Sequence, residues 1–158
     1  MKKLLFVVGC LFAVQGMAQT TLQEEVDVMR KMYGKSKKEL MTSYLKVPDA
    51  KSVSFWELYD EYEAERTNLS KERMQLIADY AKGYETLNDE TANKLASATL
   101  NNNMKLEKLY QKYYGKMKKK VGALEAAKFI QLETYLQTAI RSELQEAIPL
   151  IGEIDRSK

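Results

Sequence analysis

Apolar side chains recur along most of this chain at alternating intervals of three and four, the spacing that places them on one face of a helix. The clearest run is Phe55, Tyr59, Tyr62, Arg66, Leu69, Arg73, Leu76, Tyr80, Gly83 and Leu87. It predicts a helix over about 54–87, opened by Ser54 with Glu57 three residues later, a spacing at which each side chain can satisfy the other's free backbone N–H. At 1.5 Å per residue such a helix is about 50 Å long, which implies an elongated shape. A first helix is expected over about 21–46, carrying Leu22, Val26, Met29, Tyr33, Leu40, Tyr44 and Leu45; Gly34 and Ser36 weaken its middle and Val47-Pro48-Asp49 ends it. A third, over about 89–121, is capped by Asn88 or Asp89 and runs through Leu95, Leu106, Leu109, Tyr113 and Met117. Asn101-Asn102-Asn103 are poor helix formers and predict a kink or break in it. The fourth follows Gly122, covers about 123–148 and brings Phe129, Glu133, Leu136, Ile140 and Leu144 to one side before Pro149; residues 152–158 read as a frayed tail. No stretch sustains the two-residue alternation of a strand. The expectation is an all-α fold with no β-sheet: four helices in an elongated arrangement, built from two helical hairpins in one domain over 19–158.

The residues before that domain follow a different pattern. Met1-Lys2-Lys3 is a short basic head, Leu4 to Val14 an apolar run too brief to span a bilayer, and Gly16-Met17-Ala18 a small-residue cleavage point. This is the layout of a secretory signal peptide over 1–18, cleaved near Ala18/Gln19, and the expected location is the periplasm. Val7-Val8-Gly9-Cys10 also resembles a lipobox, but the apolar run continues through Leu11 to Val14, so Cys10 lies inside the membrane-engaging segment and lipidation is not the favoured reading.

Composition changes the picture at one point. The chain of 158 residues holds 25 basic and 22 acidic side chains; without Lys2 and Lys3 the balance is 23 to 22, so no polyanionic partner such as nucleic acid is indicated. Cys10 is the only cysteine and there is no histidine. No internal disulfide can form, and stability must come from packing.

Two predicted helix starts resemble one another: Val53-Ser54-Phe55-Trp56-Glu57 and Val121-Gly122-Ala123-Leu124-Glu125. At these sites the chain resembles the Spy-like family of periplasmic helical proteins, whose hallmark is an LTxxQ pentapeptide occurring twice. Val53 and Val121 stand where that family has leucine, Ser54 and Gly122 where it has threonine, and Glu57 and Glu125 where it has glutamine. Phe55-Trp56-Glu57-Leu58-Tyr59-Asp60-Glu61-Tyr62, Lys128 to Glu133 and Ala147-Ile148-Pro149-Leu150 are similar to a less characterised group of secreted helical proteins of that type. The resemblance covers about 53–150 and leaves the first helix unsupported. It implies a small exported helical protein that binds other proteins, in the better-known relatives a homodimer that shelters unfolded chains or tunes an envelope-stress sensor. The alternatives are a structural or interaction module with one dedicated envelope partner, and association with a lipid surface.

Three groups of residues are candidates for function. Arg66 and Arg73 fall on the apolar seam of the second helix and Glu133 on that of the fourth. A charge there is costly unless paired, so one reading is a buried Arg–Glu cluster with tyrosine hydroxyls that aligns the helices, and the other a cleft where the arginines meet an anionic ligand. Trp56, Tyr59 and Tyr62 belong to a set of ten tyrosines and one tryptophan at helical spacing, read as core or core edge, with an exposed subset as a partner surface. Lys112, Lys116, Lys118, Lys119 and Lys120, with Lys105 and Lys108, face a single acid, Glu107, within 105–120. Basic residues near a helix C-terminus are favoured by its dipole and keep a face solvated; contact with an anionic surface is the alternative.

Metal and catalytic chemistry find little support. Zinc, copper and nickel would lack their preferred ligands, and the acidic clusters at Glu24, Glu25 and Asp27 and at Asp60, Glu61, Glu63 and Glu65 have no calcium-loop spacing. There is no glycine-rich phosphate loop, no GxSxG elbow and no histidine to activate a serine. Neither catalytic residues nor a cofactor are expected, and the chain reads as a non-enzyme.

Overall fold

The structure is a computed structural model that describes residues 27–146, 148, 150 and 151. The expected signal peptide with its cleavage point and Cys10, and the tail over 152–158, lie outside the described residues. Among the described residues the fold is all-α, with five helical segments and no strand. They are α1 (27–33), α2 (Lys37–Tyr44), α3 (Asp49–Gly83), α4 (Asp89–Val121) and α5 (Ala123–Glu146), with a 3₁₀ turn at Tyr84–Thr86 after α3.

The expected single first helix is two. Gly34 takes φ +65°, a left-handed conformation that glycine adopts without a Cβ penalty, and its N–H closes the preceding turn on Arg30 C=O at 2.9 Å. Ser36 then starts α2 through a full capping box with Glu39. The second helix begins at Asp49, directly after Pro48, and not at Ser54; Ser54 sits inside it and donates its hydroxyl to Lys51 C=O. A proline before the first turn costs nothing, since the N–H it lacks has no helical partner there. Val53 to Glu57 is thus interior helix, whereas Val121 to Glu125 spans a helix boundary, and the two segments are not equivalent starts.

The asparagine triplet does not break α4, which is helical throughout 101–103. Asn102 is 2% exposed and donates its amide to Leu69 C=O on α3 at 3.0 Å, so the side chain that would weaken an isolated helix is used between helices. Asn88 caps α4 with Thr91, and Gly122, at φ +93°, makes the sharp reversal into α5.

The packing follows from this order. α3 lies along α4 as a long hairpin, α5 returns along α4, and α2 rests against α5. Phe129 on α5, fully buried, sits 5.2 to 6.3 Å, ring to ring, from Phe55, Tyr59 and Tyr62 on α3, edge to face in each case. Tyr113, Met117, Leu136 and Ile140 continue this core. α5 has 24 residues against 35 and 33 in the hairpin arms, so the hairpin runs past it. In that distal half of the hairpin the core thins to Ala78, and an open groove appears.

Candidate functional site

Where the three long helices meet, the apolar core gives way to a polar layer. Glu133 and Gln137 on α5, and Arg66 on α3, are buried, and Asn102 faces them from α4. Ser70 and Arg73 follow Arg66 at helical spacing, and Arg141 follows Gln137.

The proximal part of this layer is an ionic cluster. Glu133 is 0% exposed and accepts hydrogen bonds on Oε1 from Tyr62 O–H at 2.8 Å and from Lys37 Nζ at 2.7 Å; its Oε2 lies 2.6 Å from the same ammonium, as an ion contact outside hydrogen-bond geometry. Lys37 also reaches Glu63 at 2.6 Å, and Arg66 binds Glu63 through Nε and Nη2 at 3.2 to 3.3 Å while donating Nη1 to Ser70 Oγ. Two cations and two carboxylates are thereby joined from α2, α3 and α5. Burial pushes the Glu63 carboxyl up, but the charges of Lys37 and Arg66 and their hydrogen bonds outweigh it and hold the group below its usual range. Burial raises the Tyr62 hydroxyl well above its ordinary value, with the Glu133 charge adding to it, so it remains a donor.

The distal part opens into a groove of about 250 Å³ between α3 and α4. Leu76, Ile77, Leu95, Leu144 and Ile148 supply apolar walls, and Arg73, Asn102 and Arg141 stand at its inner end. Arg73 donates to the side-chain carbonyls of Asn102 and Asn103. Tyr84 O–H reaches Leu150 C=O at 3.2 Å, tying the segment after α5 to the hairpin turn beside the groove.

The sequence-predicted residues separate accordingly. Arg66 and Glu133 share the ionic cluster, Arg66 through Glu63 and Glu133 through Lys37, whereas Arg73 is half-buried at the groove. Tyr59 and Tyr62, read as core or core edge with an exposed partner surface as the alternative, are 3% and 0% exposed and form the core around Phe129, so they supply no such surface. Trp56 is half-buried, with Lys38 Nζ 5.1 Å from its ring. Lys112 and Lys116 reach back to α3, pairing with Glu65 at 2.6 Å and Glu61 at 2.9 Å; Lys118, Lys119 and Lys120 are exposed in the last turn of α4. Hydrogen bonds from Lys112 and Tyr113 hold the Glu65 carboxyl below its usual value.

Sequence reasoning missed Lys37, Gln137 and Arg141. Glu133, Gln137 and Arg141 form an i, i+4, i+8 row on α5, a polar stripe beside an apolar one, and that row was the available signal. Lys37 gave none, since its partners are 26 and 96 positions away. Among the described residues no group of three carboxylates could hold a metal ion, and no helix is long and apolar enough to cross a membrane. Comparison with protein-family models, with curated proteins and with solved structures returns no match.

Proposed function

We propose that this is an exported helical protein that binds other proteins in the periplasm, an envelope-stress chaperone or modulator of the Spy-like kind. One observation carries the reading: large apolar side chains stand exposed on an otherwise charged helical surface. Val53, Leu100, Met104, Leu124 and Tyr135 are 56–73% exposed. Leu100 and Met104 are one turn apart on α4, and Val53 and Leu124, at the starts of α3 and α5, belong to the same end of the bundle. Single exposed apolar residues are ordinary on any protein. Here they are spread among lysines and glutamates, which suits brief, varied contacts with partly unfolded chains. The resemblance of 53–150 to exported helical proteins supports the same reading, and Lys118, Lys119 and Lys120 add a basic end for acidic client segments.

The test is light scattering from two unrelated unfolding proteins with and without the purified chain. Suppression of both at near-stoichiometric ratios is expected, and Leu100→Ser with Met104→Ser is expected to weaken it without lowering the melting temperature. No effect on either client would refute the chaperone reading and direct the search to one dedicated envelope partner.

A further inference from the structure

α2 has only eight residues; Gly34 separates it from α1, and the non-helical residues 45–48 separate it from α3. A helix of that length is not stable alone in water, so its order depends on the surface it rests on. Met29, Tyr33, Lys37, Met41 and Leu45 recur every four residues along α1 and α2, and this row faces the bundle. Met29, Met41 and Leu45 are buried in the same core cluster as Phe55, Phe129, Leu136 and Ile140, and the Tyr33 ring lies 6.4 Å from that of Tyr135. α1 and α2 therefore lie as a strap over the seam between α3 and α5.

Charge is divided between the strap and the seam. Over 27–46 the chain has six basic and two acidic side chains, whereas over 49–66, the first half of α3, it has six acidic and two basic. Lys31 pairs with Glu143, Lys37 with Glu63 and Glu133, and Lys38 with Asp60, at 2.6 to 3.1 Å. In each of these pairs the cation is on the strap and the carboxylate on α3 or α5. Lys38 Nζ also stands 5.1 and 5.7 Å from the rings of Trp56 and Tyr59. The outer pairs, Lys31–Glu143 and Lys38–Asp60, are exposed, so salt screens them and the latch is weak at its edges. An apolar floor edged with carboxylates is the complement of an amphipathic helix with basic flanks, and the strap itself displays the fit.

We propose that α1–α2 is a displaceable strap in a docking seam between α3 and α5, and that the seam receives in its place a basic amphipathic helix of another polypeptide. Tethering holds the strap at high effective concentration, so a partner segment enters when it binds more strongly or when the latch is loosened. Leu100 and Met104 lie on α4, outside the seam, so this surface does not depend on client contacts there.

The probe is a fluorescein-labelled peptide with the sequence of 27–46, titrated by anisotropy against the purified full chain. Two variants loosen the strap and leave every seam residue in place: Met41→Ser, and Lys31→Gln with Lys38→Gln, which removes only exposed pairs. Both are expected to bind the peptide more tightly than the parent chain, Met41→Ser at least tenfold. Trp56 is the single tryptophan and lies under Lys38, so its emission is expected to shift in the variants and to return when peptide binds. A peptide with Lys31→Glu, Lys37→Glu and Lys38→Glu is expected not to bind, and Asp60→Lys added to Met41→Ser is expected to lose at least tenfold. Hydrogen exchange of the parent chain reads the opening without any substitution: amides of Met41 to Leu45 are expected to exchange at least tenfold faster than those of Leu106 to Met117. Exchange of both segments at one rate overturns the proposal. So does peptide binding that the two variants leave unchanged, or equal binding of the charge-reversed peptide. A parent-chain dimer in sedimentation that Met41→Ser abolishes also overturns it, since the occupant is then the strap of a second copy.

Discussion

Removing the Glu133 carboxylate tests the polar layer most directly. Glu133→Ala deletes the acceptor for the buried Tyr62 hydroxyl and one of the two carboxylates shared by Lys37, whose side chain is 12% exposed. The orphaned hydroxyl costs about 1–3 kcal/mol. The cluster of two cations and two carboxylates is left with one excess positive charge, and breaking a buried pair in this way costs about 3–5 kcal/mol in all. The partial exposure of Lys37 favours the lower figure. A loss of about 3 kcal/mol in a domain of this size lowers the melting temperature by roughly 10 °C, at about 3 °C per kcal/mol. The assay is urea and thermal unfolding followed by circular dichroism, with Glu133→Gln and Lys37→Met/Glu133→Leu alongside. The glutamine keeps an acceptor for Tyr62 and is expected to lose about half as much. The double variant removes one charge of each sign and leaves Arg66 paired with Glu63, so it is expected to be more stable than Glu133→Ala. A change below about 1 kcal/mol for Glu133→Ala, or a double variant as unstable as the two single losses added together, would refute this account of the cluster.

Phe129→Ala removes a fully buried ring that touches three aromatic residues of α3, and is expected to cost about 3–5 kcal/mol in urea unfolding. Gly122→Ala places a Cβ at φ +93°, where the space is open but the backbone is unfavourable, and is expected to cost about 1–2 kcal/mol in the same assay. Acid unfolding is expected to be visible below about pH 4.5: Glu63 and Glu65 have folded pKa values below the ordinary 4.5, so their contribution is present above that value and is lost as pH falls through the lower folded ones. At alkaline pH the sign is opposite, and stability falls as pH rises. Burial raises Tyr59, Tyr62, Tyr110 and Tyr113 above the ordinary 10.0, so stability is full below pH 10 and falls above it, and spectrophotometric titration is expected to show these tyrosines ionising only with unfolding.

Local patterning determined the helices themselves. The three-four recurrence from Phe55 onward, the Asn88 cap and the Gly122 boundary placed α3, α4 and α5 within a few residues, because amphipathic spacing and capping act over one or two turns of chain. The same local logic held the signals it misjudged: Ser36 and Glu39 form a capping box that splits the first helix, and Pro48 is as good a helix start as Ser54. Only the tertiary structure decided what the polar residues on the seams do. Arg66 and Arg73 stand two turns apart on one helix and look equivalent in sequence. One is buried because Lys37 and Glu133, distant in the chain, arrive around Glu63; the other is left at the groove because α5 is shorter than the hairpin it packs on. Asn102 likewise gains its helical place from Leu69 and Arg73 on a neighbouring helix, since hydrogen bonds and ion pairs across a bundle depend on register and length in three dimensions, which no short stretch of sequence carries.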